Sequence, residues 1–208
     1  MIPLTTFALF ATATLALVLI PGPNHLYIAA RGIAQGRAAG LASALGVETG
    51  TLVHVAAAAA GLSYVLARSA TLFSVIKWAG AAYLIYLGVR ALTGKQDGTA
   101  APAPQSLRAV FLEGVLVNLL NPKTVLLFLA FLPQFVDARA GSPALQVLLL
   151  GLTVLLVGLV CDIAYALTAG TLGHRLTRAA TTLRYVSGLV YLGLGVATLV
   201  TASPTAPR

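Results

Sequence analysis

Two long apolar stretches, about half a chain apart, are each interrupted by proline. The first reads Leu17-Val18-Leu19-Ile20-Pro21-Gly22-Pro23-Asn24 and the second Val117-Asn118-Leu119-Leu120-Asn121-Pro122-Lys123. Proline removes a backbone donor and blocks the helical hydrogen bond behind it. Hydrocarbon offers the freed groups no water, so a chain with two such defects must satisfy them with protein or with a water-filled cavity. Interrupted spans at corresponding places in two halves of a membrane protein point to a solute site between them.

The rest of the chain agrees with a membrane setting. Of its 208 residues 59% are hydrophobic and 9% charged, against about 25% charged in an ordinary soluble domain. About 20 apolar residues cross the hydrocarbon core as a helix. On that rule the sequence predicts an all-α membrane protein of six spans: Leu4–Ile28, Ala38–Leu66, Leu72–Leu92, Val110–Leu132, Ala144–Leu167 and Leu183–Val200. Nothing is left over for a separate soluble domain.

A net charge of +8 could suggest nucleic acid, but the placement of the charges excludes that reading. Arg31, Arg37, Arg90, Lys95, Arg108, Arg175, Arg178 and Arg184 fall in alternate loops, while Arg68, Arg139 and Arg208 fall in the others. The side richer in Lys and Arg is the cytoplasmic one, which predicts both termini on the periplasmic or extracellular side. The first apolar run has no basic flank and no small-x-small cleavage site, so it reads as a retained span. Cys161 is the only cysteine, which excludes an intrachain disulfide or dithiol relay.

The two halves look like copies. Gly80-Ala81-Ala82-Tyr83-Leu84 matches Gly188-Leu189-Val190-Tyr191-Leu192, and the proline breaks fall in spans one and four. An odd number of spans per half makes the second half enter the membrane in the opposite sense, the inverted-repeat plan of many secondary transporters. The division is residues 1–93 for the first three-helix repeat, 94–107 for a Gly/Ala/Pro-rich cytoplasmic linker, and 108–208 for the second repeat.

Candidate site residues follow from the breaks. A half-helix N-terminus suits a carboxylate, and freed carbonyls suit an ammonium. Two opposed breaks could therefore clamp a zwitterion through Pro21, Gly22, Pro23, Asn24, Asn118, Asn121, Pro122 and Lys123. Lys123 lies deep in span four, and its partner is either a substrate carboxylate or an internal acid. Glu48 in span two and Asp162 in span five are the acids at hand, and each is a candidate proton carrier. Gly46, Gly50 and His54 form a stripe at four-residue spacing, with Glu48 turned about 200° away from Gly46, so His54 supports packing through an interhelical hydrogen bond. Asp162 and Tyr165, three residues apart, can share a ligand or a water. Glu113 reads as a carboxylate complementing its helix dipole, and His25 as a weaker site candidate.

Catalytic signatures are absent: no Gly-x-Ser-x-Gly, no His-Glu-x-x-His and no Walker sequence occurs, so no enzyme activity is expected and transport would draw on a gradient. No cofactor or metal is implied by three scattered histidines and one cysteine. An ion or metal permease on a related scaffold is the alternative.

Taken together, several blocks resemble the LysE/RhtB family of amino acid exporters along nearly the whole chain. They are Pro21-Gly22-Pro23, Arg31-Gly32, Gly36-Arg37-Ala38-Ala39-Gly40, the Gly46/Gly50/His54 stripe, Lys77-Trp78-Ala79-Gly80-Ala81-Ala82-Tyr83-Leu84, Asn118 with Asn121-Pro122-Lys123, and Phe131-Leu132-Pro133-Gln134-Phe135. The resemblance implies a bacterial inner-membrane exporter of amino acids or close derivatives, driven by the proton gradient, and leaves room for a homodimer. Glu48 departs from the family pattern, which makes it a candidate substrate-specific group as well as a proton carrier.

Overall fold

The computed structural model describes the backbone of residues 2–68, 103–137 and 139–201, with isolated positions between 75 and 93. The stretch read as span three and most of the linker lie outside the described residues. Among those described there are helices and no strands.

Helix α1 (Leu4–Leu19) stops where Pro21 and Pro23 withdraw their donors. Its C-cap Ile20 is extended (φ −71°, ψ 117°), and α2 (Pro23–Gln35) starts from an extended Gly22. The two axes differ by 48°. Gly36, at φ +85°, ends α2 in a conformation that favours glycine, and α3 (Arg37–Arg68) follows directly.

Helix α4 (Leu107–Leu119) is capped by Ser106, whose Oγ accepts from Ala109 N at 3.2 Å. After Leu120 the chain restarts at α5 (Pro122–Leu126), with Pro122 in the first turn, where its missing N–H costs nothing. The helix loosens to a π-turn over Leu127–Phe131, then tightens to a 3₁₀ turn over Leu132–Phe135. Lys123–Phe135 is bent 49° from α4.

Helix α6 (Pro143–Thr201) is helical throughout its 59 residues. The reading of spans five and six placed a loop around Arg175, Arg178 and Arg184, and the backbone is helical there instead. Arginine, leucine and alanine favour helix, and no proline interrupts the segment. Among the described residues, two stretches are long and apolar enough to cross a membrane, Arg37–Gly61 and Pro143–Ala169, and four if each bent pair counts as one span. Large apolar side chains such as Leu120 and Val160 stand exposed at 79% and 69%, as a lipid-facing surface requires.

Helix α3 sits centrally and packs most extensively on α6 and α4. Small residues allow the approach. A Cβ on Gly46 would lie 2.1 Å from Phe111 O, and one on Gly114 would lie 2.8 Å from Ser43 O. Two apolar clusters form along these helices. One gathers Phe10, Val55, Phe131, Leu132, Val147 and Leu150, and the other Ile28, Ala44, Val47 and Ala166. Glu48 and Thr51 on α3, and Gly158 and Asp162 on α6, fall between the clusters in sequence. A polar layer is thus sandwiched between two apolar ones.

Candidate functional site

The polar layer surrounds a small cavity of about 50 Å³, room for a few water molecules at roughly 10–15 Å³ each by this measure. The two helix stops meet at it. Where α1 ends, its last carbonyls lose their helical partners. Lys123 Nζ donates to Ile20 O at 2.6 Å, and Tyr165 Oη lies 3.5 Å from Leu19 O. The lysine stem crosses Gly22 so closely that a Cβ there would come within 3.1 Å of Lys123 Cδ. Asn121 caps α5 by accepting from Lys123 N at 2.9 Å, and its Nδ2 donates to Asn24 Oδ1 at 2.7 Å. Each break is therefore held partly by side chains of the other.

His25 follows the first break. Its Nδ1 accepts from Gly22 N at 3.3 Å, which puts the ring proton on Nε2. That nitrogen faces Asp162 Oδ1 at 3.3 Å, and the ring lies 4.4 Å from the Tyr165 ring. Asp162 and Tyr165 thus clasp one histidine, an arrangement their three-residue spacing makes natural on α6. Glu48 enters from α3. Its carboxyl sits in the notch left by Gly158, where a Cβ would be 2.6 Å from Glu48 Oε1, and it lines the same cavity as Asp162. Both are buried, at 8% and 2% exposure.

Asn118 closes the remaining wall. Its Nδ2 donates to Thr51 Oγ1 at 3.1 Å. Its backbone carbonyl lies 3.4 Å from His54 Nε2, whose ring stacks on Phe128 with centroids 5.7 Å apart. His54 binds between helices and does not line the cavity.

Of the residues expected at a site, Gly22, Asn24, Glu48, Asn118, Asn121, Lys123 and Asp162 line the cavity, while Pro21, Pro23, His54 and Tyr165 do not; the Pro122 side chain lies outside what the structure describes. The prolines shape the chain around it. Lys123, read as partner to a substrate or an acid, is bonded to a freed carbonyl. His25 is more central than its lone position suggested. Thr51 and Thr124 also line the cavity. Their signal was present: Thr51 is one turn from Glu48, and Thr124 follows Lys123.

A second polar group lies one to two turns from the cavity. Arg31, only 2% exposed, pairs with Glu113 and donates to Gln35 Oε1 and Ala103 O, each at 2.9 Å. Tyr27 Oη donates to Val110 O at 2.7 Å and lies 3.2 Å from Glu113. Glu113 was read as a helix-dipole partner, but it is the counter-ion of this buried arginine. Gln35 Nε2 donates to Gln105 O at 2.8 Å, so the described end of the linker is tied to α2.

Apolar helices gathered around a buried polar cavity are the build of a multi-pass membrane transport protein. The family profile described as LysE type translocator matches residues 15–202. A Leucine efflux protein of Klebsiella pneumoniae is 29% identical over 184 residues, covering 85% of this chain and 86% of its own length. A Homoserine/homoserine lactone efflux protein of Salmonella typhimurium is 36% identical over 165 residues, covering 78% of this chain and 79% of its own length. An uncharacterized membrane protein of Bacillus subtilis, YrhP, is 32% identical over 195 residues, covering 88% and 92%. No solved structure matches significantly. The chain belongs to the LysE type translocator family.

Proposed function

We propose that this protein is a secondary transporter that exports amino acids or close derivatives from the cytoplasm by proton antiport with alternating access. It is a carrier and not an enzyme. The observation that carries the reading is the meeting of the two helix stops, through Lys123 to Ile20 O and Asn121 to Asn24, beside the buried Asp162. The names of the relatives, leucine efflux and homoserine/homoserine lactone efflux, support an amino acid cargo.

The chemistry of the cavity supports the pose. The substrate carboxylate sits at the N-terminus of α2, where the first-turn N–H groups point outward, assisted by Lys123. The substrate ammonium meets Asp162. A proton entering the Glu48–Asp162 pair from outside releases the ammonium and resets the carrier. Both termini face the periplasmic or extracellular side, and Arg31 with the linker lies at the cytoplasmic end. The polar cavity widens to take the solute as the bundle opens, the apolar surface faces the lipid, and the assembly is a homodimer.

The test uses proteoliposomes and a panel of amino acids under an imposed proton gradient. Gradient-driven transport of at least one amino acid is expected. Replacing Asp162 by Asn should abolish it while sparing exchange. Active export by Asp162→Asn at the parent rate would remove the proton role. The double change Pro122→Ala with Asn121→Leu should lower substrate affinity, and unchanged affinity would make the second break structural only.

A further inference from the structure

A free amino acid brings one carboxylate and one ammonium. In the pose above these use Lys123 with the α2 N-terminus, and Asp162. Acceptors are then left over on the α3–α4 wall. Asn118 is fully buried, and while its Nδ2 serves Thr51, its Oδ1 receives no hydrogen bond. Glu48 is 8% exposed, and its Oε2 receives none either. Its neighbours are another acid, Asp162, and the Thr51 hydroxyl, which is directed at Val47 O. Both side chains line the cavity. They belong to one patch, because Thr51 sits one turn from Glu48 on α3 and bonds Asn118. A buried acceptor with no donor is costly, and these two oxygens present almost no accessible area to water.

We infer that Glu48 and Asn118, joined through Thr51, form a side-chain subsite that selects amino acids bearing a further hydrogen-bond donor, a hydroxyl or an ammonium, over aliphatic ones. The inference rests on the exporter reading and adds its selectivity. Gly158 is the positioning element, since any side chain there would displace the Glu48 carboxyl. The cavity's small volume restricts the subsite to compact side chains. A site built around polar acceptors rejects an isostere lacking the donor, because the acceptors stay unserved when it binds.

The experiment compares norvaline, homoserine and 2,4-diaminobutyrate, whose side chains share one skeleton and end in methyl, hydroxyl and ammonium. Counterflow into proteoliposomes containing the full chain gives the half-saturating concentration of each. Homoserine or 2,4-diaminobutyrate should half-saturate at a concentration about 10- to 100-fold below norvaline, and the one that does identifies the donor as neutral or cationic. Glu48→Leu should bring the three within about threefold of each other. Gly158→Ala, which removes no polar group, should move them the same way. Norvaline equal to both others in the parent protein overturns the subsite without any variant, and leaves amino acid transport standing. If none of the three and no other amino acid is carried, the exporter reading fails and takes the subsite with it.

Discussion

Among the described glycines, Gly46 makes the closest approach to a neighbouring helix. A Cβ on Gly46 would sit 2.1 Å from Phe111 O and 3.0 Å from Phe111 C, where real contacts below 3.0 Å are essentially not seen. The obstacle is backbone, so Gly46→Ala must push α3 and α4 apart by about 0.9 Å along that line. Overpacking of this kind costs about 1–3 kcal/mol, with a backbone clash toward the top. The replaced glycine returns roughly 1 kcal/mol of helix propensity. The net loss of about 2 kcal/mol corresponds to a fall in Tm of about 4–8 °C for a chain of this size. Gly61→Ala is the control. Nothing lies within 4 Å of a Cβ there, so it should leave Tm unchanged or raise it slightly. Gly158→Ala should cost less than Gly46→Ala, because the atom it meets is the end of the flexible Glu48 side chain. Differential scanning fluorimetry on detergent-purified protein measures all three. A Gly46→Ala protein melting within about 1 °C of the parent would refute close α3–α4 packing at this point.

Three further outcomes follow. Lys123→Met leaves Ile20 O without its donor and removes the cation beside the cavity, so Tm should fall and the substrate KM should rise together; a fall in Tm with unchanged KM would make the lysine purely structural. Arg31 and Glu113 should couple in a double-mutant cycle by about 1 kcal/mol, discounted because the Glu113 side chain is 42% exposed, and additive unfolding energies for the two alanine variants would deny the ion pair. A reporter fused after Arg208 should register the periplasmic or extracellular side, and cytoplasmic activity of that fusion would reverse the orientation.

Much of this architecture is legible in the sequence because its causes are local. Proline's missing donor is a property of one residue, so the ends of α1 and α4 fall next to Pro21, Pro23 and Pro122. Helical geometry places Gly46 and Gly50 on one face of α3 and Glu48 on another, and these faces meet α4 and Gly158 of α6 respectively. What the sequence hides is pairing over distance. Arg31 and Glu113 are 82 residues apart, and each has a bland local explanation, a loop charge in one case and a helix-dipole partner in the other. Lys123 has three N–H donors and a long stem, so its acceptor depends on which freed carbonyl lies in reach. The region around Arg175, Arg178 and Arg184 misleads for another reason. Its charges mark an end of the apolar span, but charge does not break a helix, and no proline is there to do so.

The two ends of the bundle are closed by different chemistry, and this predicts which one opens more readily. At the end containing Phe10, closure rests on an aromatic cluster: Phe10 packs on Phe131 and Phe135 with centroids 5.4 and 5.0 Å apart. Such pairs add about 0.5–1.5 kcal/mol each beyond the burial of their surface, and water returns none of it on separation. At the linker end, closure between α2 and α4 rests on Arg31, Tyr27 and Glu113. Water can replace those hydrogen bonds as the groups part, leaving a net cost of about 1 kcal/mol per bond. We predict that the linker end opens first when substrate is supplied. With Cys161 replaced by serine, single cysteines at Val110 and Ala130, both fully buried, report the two ends through their rates of maleimide labelling. Substrate should raise the rate at Val110 more than at Ala130. Faster labelling at Ala130, with Val110 silent, would mean that the aromatic end is the looser one and that the polar contacts around Arg31 form a fixed part of the scaffold.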